Sequence, residues 1–394
     1  MTRPLTVAID VSPVRRATGG VGRYVTDLIA HLPDRSAGRP LIVLPLTNRP
    51  AAWEAWRTAE MDAASGIGIP CAAAPRPVLH RPTMLWLQAE VPARVRPPVR
   101  VAHYTTGRSA LGSRTPSVVT VHDVWLLDAP EAFPLRERVL AGLWLRASIP
   151  RADRLICVSE STATAVRRRW PRAAARIAVV RPGVADRWRT APPPLEPIVR
   201  AAVGERWWLH VGGCTARKRV DVLVEAFALA LPALPGPPPA LALVGPPGDR
   251  DAQVREIASR LGVAERVRWL GEMDDGALHA LYAGAELTAC VGQHEGFGLT
   301  ALEALACGCP VVRSDRGGLP EAGQSGALVA DPADARTLAA HLVTMGRDPR
   351  LRAALSDAGR RSAWSRTAEE ASTATARIYV AAAAGHRDAL ALDG

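Results

Sequence analysis

The stretch Trp207-Trp208-Leu209-His210-Val211-Gly212-Gly213-Cys214-Thr215-Ala216-Arg217-Lys218-Arg219 passes from an apolar block through two glycines into three cations. A helical pattern follows over Asp221–Ala230. The block Trp207–Val211 reads as a buried strand. Strand, glycine turn and helix together form the unit from which covered parallel sheets are assembled. Glycines followed by cations suit a diphosphate. The spacing is not G-x-x-x-x-G-K-[ST], so ATP hydrolysis is not read here. The plain alternative is a solvated basic turn. Lys218 weighs against it, because the chain has 48 Arg and one Lys. Lys is a compact charge on a flexible stem, which the planar Arg fork does not replace.

The same alternation extends in both directions. Leu5–Asp10, Leu41–Leu44, Val118–Val121, Leu155–Val158 and Ile177–Val180 read as strands before it. Ala240–Val244, Val267–Leu270, Leu287–Val291, Pro310–Arg313 and Ala327–Ala330 read as strands after it. Val21, Val25, Leu28, Ile29 and Leu32 share one helical face. Pro192-Pro193-Pro194 sits in an aperiodic stretch. The expected organisation is α/β, with two doubly wound Rossmann-like domains facing a central cleft. The domains are residues 1–184 and 199–366, with a linker over 185–198. Residues 367–394 read as a C-terminal helix and tail, with the N-terminal domain as one candidate surface for it.

At 394 residues and 48% hydrophobic, the chain suits two cores. No secretory signal or membrane span is read, and the six scattered cysteines suit reduced cytosolic thiols. Residues 1–200 hold 29 Arg against 15 acids, a net of +14; the remainder holds 20 cations against 23 acids, a net of −3. A basic half attracts nucleic acid, an anionic membrane or a phosphorylated substrate. Genomic preference for Arg explains part of that charge. No RNA-type aromatic motif or helix-turn-helix accompanies it, so nucleic acid ranks last.

Three further motifs carry chemistry. Gly19, Gly20 and Gly22 open a helix, where backbone amides approach an anion. His122-Asp123 follows a strand, at the end that faces a ligand crevice. His294-Glu295-Gly296-Phe297-Gly298-Leu299-Thr300-Ala301-Leu302-Glu303 places a glycine loop before a helix start. There the amides of Phe297, Gly298, Leu299 and Thr300 face an anion, and Glu295 and Glu303 flank it as acceptors for sugar and ribose hydroxyls. The plain alternatives are a flexible turn, a loop histidine and acids that complement a helix dipole. Asp249-Arg250-Asp251 has D-x-D spacing, but Asp251 reads as a helix N-cap rather than a metal ligand.

Together these motifs, with Arg181-Pro182-Gly183-Val184 and Leu319-Pro320-Glu321, resemble the retaining, nucleotide-sugar-dependent glycosyltransferases of family 4. The nearest branch is polysaccharide mannosyltransferase-like. That resemblance implies a GT-B fold and front-face transfer of a hexose without metal or other cofactor. It implies His122, Glu295 and Lys218 as catalytic. Gly20, Gly22, Gly213, Arg217, Lys218, Met273, Phe297, Gly298, Leu299, Thr300 and Glu303 bind the donor. Arg15, Arg23, Tyr24, Thr106 and Asp123 lie on the acceptor side. The implied partners are a nucleoside-diphosphate sugar (GDP-mannose or a UDP- or dTDP-sugar) and a carbohydrate, lipid-linked or small-molecule acceptor. An anionic membrane is a candidate peripheral contact for the basic N-terminal domain, and nucleic acid is no partner. The chain departs from the family at Gly213, where many members carry Arg, and at Thr300, where Pro is frequent. A non-catalytic sugar-nucleotide-binding protein and a GT-B epimerase are the alternatives, the latter turning over donor without acceptor.

Overall fold

A computed structural model describes residues 3–14, 19–46, 99–109, 113–130, 133 and 135–385. The chain divides into two units. One is Met1–Pro182 with Ala368–Gly394, and the other is Gly183–Thr367.

The first unit holds β1 (Leu5–Asp10), α1 (Gly20–Ala30), β2 (Arg35–Ser36), β3 (Arg39–Leu46), β4 (Val101–Tyr104) and β5 (Ser117–Val121). Next come α2 (Trp125–Asp128), α3 (Leu135–Arg151), β6 (Arg154–Cys157), α4 (Glu160–Arg169) and β7 (Ile177–Val179). Its strand order is β2-β3-β1-β4-β5-β6-β7, parallel except for the short β2–β3 pair. Every residue of β1 is buried, which requires cover on both faces of the sheet. In α1 the buried Val25, Leu28 and Ile29 recur at helical spacing and turn one face to the core.

The second unit holds α5 (Pro197–Val203), β8 (Trp207–Val211), α6 (Val220–Ala230), β9 (Ala240–Val244), α7 (Asp251–Arg260) and β10 (Val267–Gly271). It continues with α8 (Asp275–Gly284), β11 (Leu287–Cys290), α9 (Leu299–Ala306), β12 (Val311–Arg313), α10 (Leu319–Ala322) and β13 (Ala327–Val329). Two long helices, α11 (Ala335–Arg347) and α12 (Pro349–Trp364), close it. The six strands are parallel in the order β10-β9-β8-β11-β12-β13. Trp208 meets Phe227 edge-on at 5.6 Å inside this core.

One segment differs from the sequence reading. Residues 185–198 are not a free linker along their length. Trp188 is buried at 2% exposure, edge-on to His279 and Tyr282, and Arg187 pairs with Asp275 at 2.9 Å. An aromatic ring that large is more stable packed than hydrated, so it draws the proline-rich segment onto the second unit. The last helix, α13 (Ala368–Ala383), belongs to the first unit, where it packs on α1, β4, β5 and β6.

Candidate functional site

In the second unit, strand order reverses between β8 and β11, which lie side by side. Loops leaving adjacent strands at such a point part and open a ligand crevice. One loop carries Arg217 and Lys218 and the other Glu295. They meet: Lys218 Nζ lies 2.6 Å from Glu295 Oε1, and Arg217 Nη1 lies 2.7 Å from Oε2. Arg217 also donates to the His294 carbonyl at 2.9 Å, and the Gln293 amide donates to the Arg217 carbonyl at 2.8 Å. Burial opposes ionisation of Glu295, but the two cations outweigh it and hold its pKa at about 2.

Glycines make this geometry possible. Gly212 has φ +137°, and a Cβ there would stand 2.9 Å from Lys218 Cε. The lysine stem therefore lies against bare backbone. At Gly213 a Cβ would meet the Pro246 carbonyl oxygen at 2.8 Å, which leaves no room for the Arg that many family members carry. Arg217 instead supplies the second cation of the cluster. Behind Glu295, the Gly318 amide donates to the Glu295 carbonyl at 2.7 Å, and Ser314 Oγ donates to the Gly292 carbonyl at 2.6 Å.

Helix α9 opens at Gly298, whose φ is +102°. Hydrogen bonds to the Gly298 carbonyl begin at Ala301, so Leu299 and Thr300 supply the orphan amides of the opening turn. The Phe297 ring turns inward at 4% exposure, which leaves only its backbone for a ligand. Glu303, 3% exposed, accepts a hydrogen bond from the Tyr282 hydroxyl at 3.3 Å. Tyr282 escapes the sequence reading because it looks like any apolar position of α8. So does His210, buried in β8 below Lys218. Its Nδ1–H donates to the Ala289 carbonyl at 3.0 Å, and burial pushes its pKa down to about 4. Met273 is half-buried in the loop after β10, an edge strand separated from β8 by β9. Asp251 is not the N-cap. Arg250 holds that position, and Asp251 begins α7 with its carboxylate accepting the Gly248 amide at 3.1 Å.

In the first unit, Gly20 begins α1, with exposed Gly19 as its cap and Gly22 buried. Arg23 and Tyr24 are buried, at 7% exposure each. His122 lies beyond β5, and its Nε2–H donates to the Thr105 carbonyl at 2.9 Å. Burial lowers its pKa, against the opposing pull of that bond and of Asp123. A neutral imidazole so tied keeps Nδ1 as an acceptor. The Tyr24 and His122 rings meet edge-on with centroids 5.0 Å apart. Asp123 accepts the Trp125 amide at 3.0 Å, so it shapes the turn into α2. Thr106 is half-buried after β4. Arg15 lies outside the described residues.

Comparison with known proteins agrees with this architecture. Residues 18–187 match the profile described as Glycosyltransferase Family 4, and residues 196–362 match Glycosyl transferases group 1. The D-inositol 3-phosphate glycosyltransferase of Salinispora arenicola is 37% identical over 244 residues, covering 56% of this chain and 53% of its own. The O-antigen chain mannosyltransferase B of Escherichia coli is 29% identical over 266 residues, covering 67% and 70%. The chain thus spans about half the length of the first of these relatives. HepE of Anabaena, solved with UDP and glucose, superposes with TM-score 0.69 at 19% identity over 96% of this chain and 98% of its own. WaaG, a glycosyltransferase involved in lipopolysaccharide biosynthesis, superposes with TM-score 0.64 at 18% identity over 95% and 99%. The two sequence profiles adjoin and together account for most of the chain, which belongs to the family 4 glycosyltransferases of GT-B fold.

Proposed function

We propose that the chain is a retaining glycosyltransferase that moves a hexose from a nucleoside-diphosphate sugar to a hydroxyl of a polysaccharide, lipid-linked or natural-product acceptor. The observation that carries this reading is the Arg217–Glu295–Lys218 cluster at the reversal point of the second sheet. Two cations gathered on one partly buried carboxylate form a site already matched to anionic oxygen. A diphosphate takes the cations, and Glu295 exchanges them for hydroxyls of the donor sugar. The amides of Leu299 and Thr300 face the distal phosphate. Glu303 accepts from the ribose hydroxyls, and His122 Nδ1 from a sugar hydroxyl. The bond between the anomeric carbon and phosphate oxygen breaks as the acceptor oxygen bonds the same face. The leaving phosphate oxygen takes the acceptor proton, so no protein nucleophile is needed. Two cations serve the charge that a metal serves elsewhere, and Asp251 is committed to Gly248. HepE with UDP and glucose supports a nucleotide-sugar donor, and the O-antigen mannosyltransferase supports a polysaccharide acceptor.

We place this activity at the cytoplasmic side of a membrane. Among the described residues no helix is long and apolar enough to cross one. Leu135, Val139 and Leu143 stand exposed at successive turns of α3, with exposed Arg146 beside them. That combination favours peripheral contact with anionic lipid.

A thermal-shift panel of UDP, GDP and dTDP in excess chelator tests the reading. A ligand at a hundredfold its Kd stabilises by about 2.7 kcal/mol. One diphosphate is expected to shift the transition, and its sugar derivative to be slowly hydrolysed in the same chelator. Binding that appears only with added divalent metal would contradict it.

A further inference from the structure

A chain of four polar side chains runs through the interior of the first unit. The Tyr379 hydroxyl of α13 lies 2.7 Å from His103 Nδ1, and His103 Nε2 lies 2.7 Å from Thr120 Oγ1. Thr120 Oγ1 lies 3.2 Å from the Tyr24 hydroxyl. Tyr379 and Thr120 have no exposed surface, His103 has 1%, and Tyr24 has 7%. Among the described residues these three contacts are the only hydrogen bonds their side chains make.

Proton counting gives the chain a direction. A neutral imidazole carries one N–H, and each hydroxyl carries one O–H. Burial holds His103 neutral, with its pKa down at about 3. Four protons therefore serve three links, and one is left over. If the links run from Tyr24 toward Tyr379, the spare proton is on Tyr379, sealed in the core without an acceptor. If Thr120 receives from both neighbours, its own proton is stranded in the same way. A buried donor left unsatisfied is costly. One arrangement strands none of the three fully buried groups. Tyr379 donates to Nδ1, Nε2–H donates to Thr120, and Thr120 donates to the Tyr24 oxygen. The spare proton then belongs to Tyr24, the least buried of the four, which stands edge-on to His122.

We propose that Tyr24 is a committed hydrogen-bond donor to a substrate oxygen, with Tyr379, His103 and Thr120 as positioning residues that fix its direction. The substrate contact rests on the glycosyltransferase reading; the direction of the chain does not. Burial also pushes the Tyr24 pKa up to about 12, so its proton stays in place at any working pH.

Nitrogen NMR of the full chain with labelled histidine tests the direction without substrate, the His103 signals being assigned from their loss in His103→Asn. The expected spectrum has His103 protonated on Nε2 and bare on Nδ1, and the reverse overturns the proposal. The contact is tested by hydrolysis and transfer assays with UDP-glucose and GDP-mannose. Tyr24→Phe is expected to slow turnover roughly three- to tenfold, the range of one neutral hydrogen bond, with nucleotide affinity unchanged. Loss in hydrolysis as well as transfer assigns the oxygen to the donor, and loss in transfer alone assigns it to the acceptor. Tyr379→Phe is expected to lose less, and Tyr24→Phe/Tyr379→Phe no more than Tyr24→Phe alone, a coupling that mere loss of core stability does not produce. Normal turnover by Tyr24→Phe, or additive losses, overturns the contact. If the unaltered chain hydrolyses no nucleotide sugar, the functional reading fails instead, while the nitrogen spectrum still decides the direction.

Discussion

Asp10 is buried and Glu295 partly buried, two carboxyls at or just beyond the ends of parallel strands, one in each unit, and they are driven in opposite directions. Asp10 closes β1 at 3% exposure, and burial raises its pKa despite the Ser12 amide, which donates to it at 3.0 Å, and the opposing charge of Arg108. Glu295 follows β11, and Arg217 and Lys218 lower its pKa to about 2 despite burial. Desolvation is common to both, so the difference lies in the partners: two cations in contact outweigh it, whereas one backbone amide and the weaker pull of Arg108 do not. The contrast extends to the neighbours. His103 and His122 are held neutral in the first unit, whereas the second gathers a cation pair around an ionised acid. The cation pair of the second unit suits a diphosphate.

The largest effect is expected from Gly317→Ala. Its φ is +59°, and a Cβ would stand 2.2 Å from the Glu295 carbonyl oxygen, a backbone atom that cannot swing aside. The cost is roughly 2–4 kcal/mol of stability. Nucleotide binding should fall with it, whereas Gly19→Ala, with no atom within 4 Å, should leave the melting temperature nearly unchanged.

Opposite signs are expected from removing the two charges. Glu295→Gln should lower stability at pH 7. Glu295 contributes fully above its ordinary pKa of 4.5, and that contribution is lost as pH falls toward 2. The deficit of the variant should therefore shrink across that window. Asp10→Asn should raise stability at pH 7, because the raised pKa penalises the folded state only above the ordinary value of 3.8. Denaturant melts at pH 3 and pH 7 read both, and equal signs at pH 7 would break the comparison. Glu295→Gln also frees the two cations, so free nucleoside diphosphate should bind several-fold tighter while turnover falls roughly ten- to a hundredfold.

The smallest effect is expected from Tyr282→Phe. Losing one donor to Glu303 should weaken nucleoside and nucleoside diphosphate alike, by about threefold. A loss confined to the diphosphate would separate Glu303 from the ribose.

What the sequence reveals of this site depends on how local each signal is. Trp207–Val211 and Ala240–Val244 match their strands end to end, because strands buried on both faces are continuous apolar runs. β4 escapes notice: Val101-Ala102-His103-Tyr104 is half polar, and His103 is tolerated there only because Tyr379 and Thr120 satisfy it. Arg217, Lys218, Glu295 and Glu303 stand out because glycines and a solitary lysine mark them. Their joining into one cluster does not, since the contact closes across 78 positions of chain. Tyr282 and Tyr379 look like ordinary helix residues, and only tertiary contact gives them a role. Trp188 is hidden similarly, inside a proline-rich segment that composition alone marks as open.

The central claim, that Lys218 and Arg217 hold a diphosphate in place of Glu295, is tested most directly by calorimetric titration of Lys218→Ala. The panel diphosphate and its parent nucleoside are compared in the unaltered chain and the variant. Loss of one charge-assisted contact should weaken the diphosphate by roughly ten- to a hundredfold and leave the nucleoside within about twofold. Equal weakening of the two ligands, or no change in either, would contradict the claim.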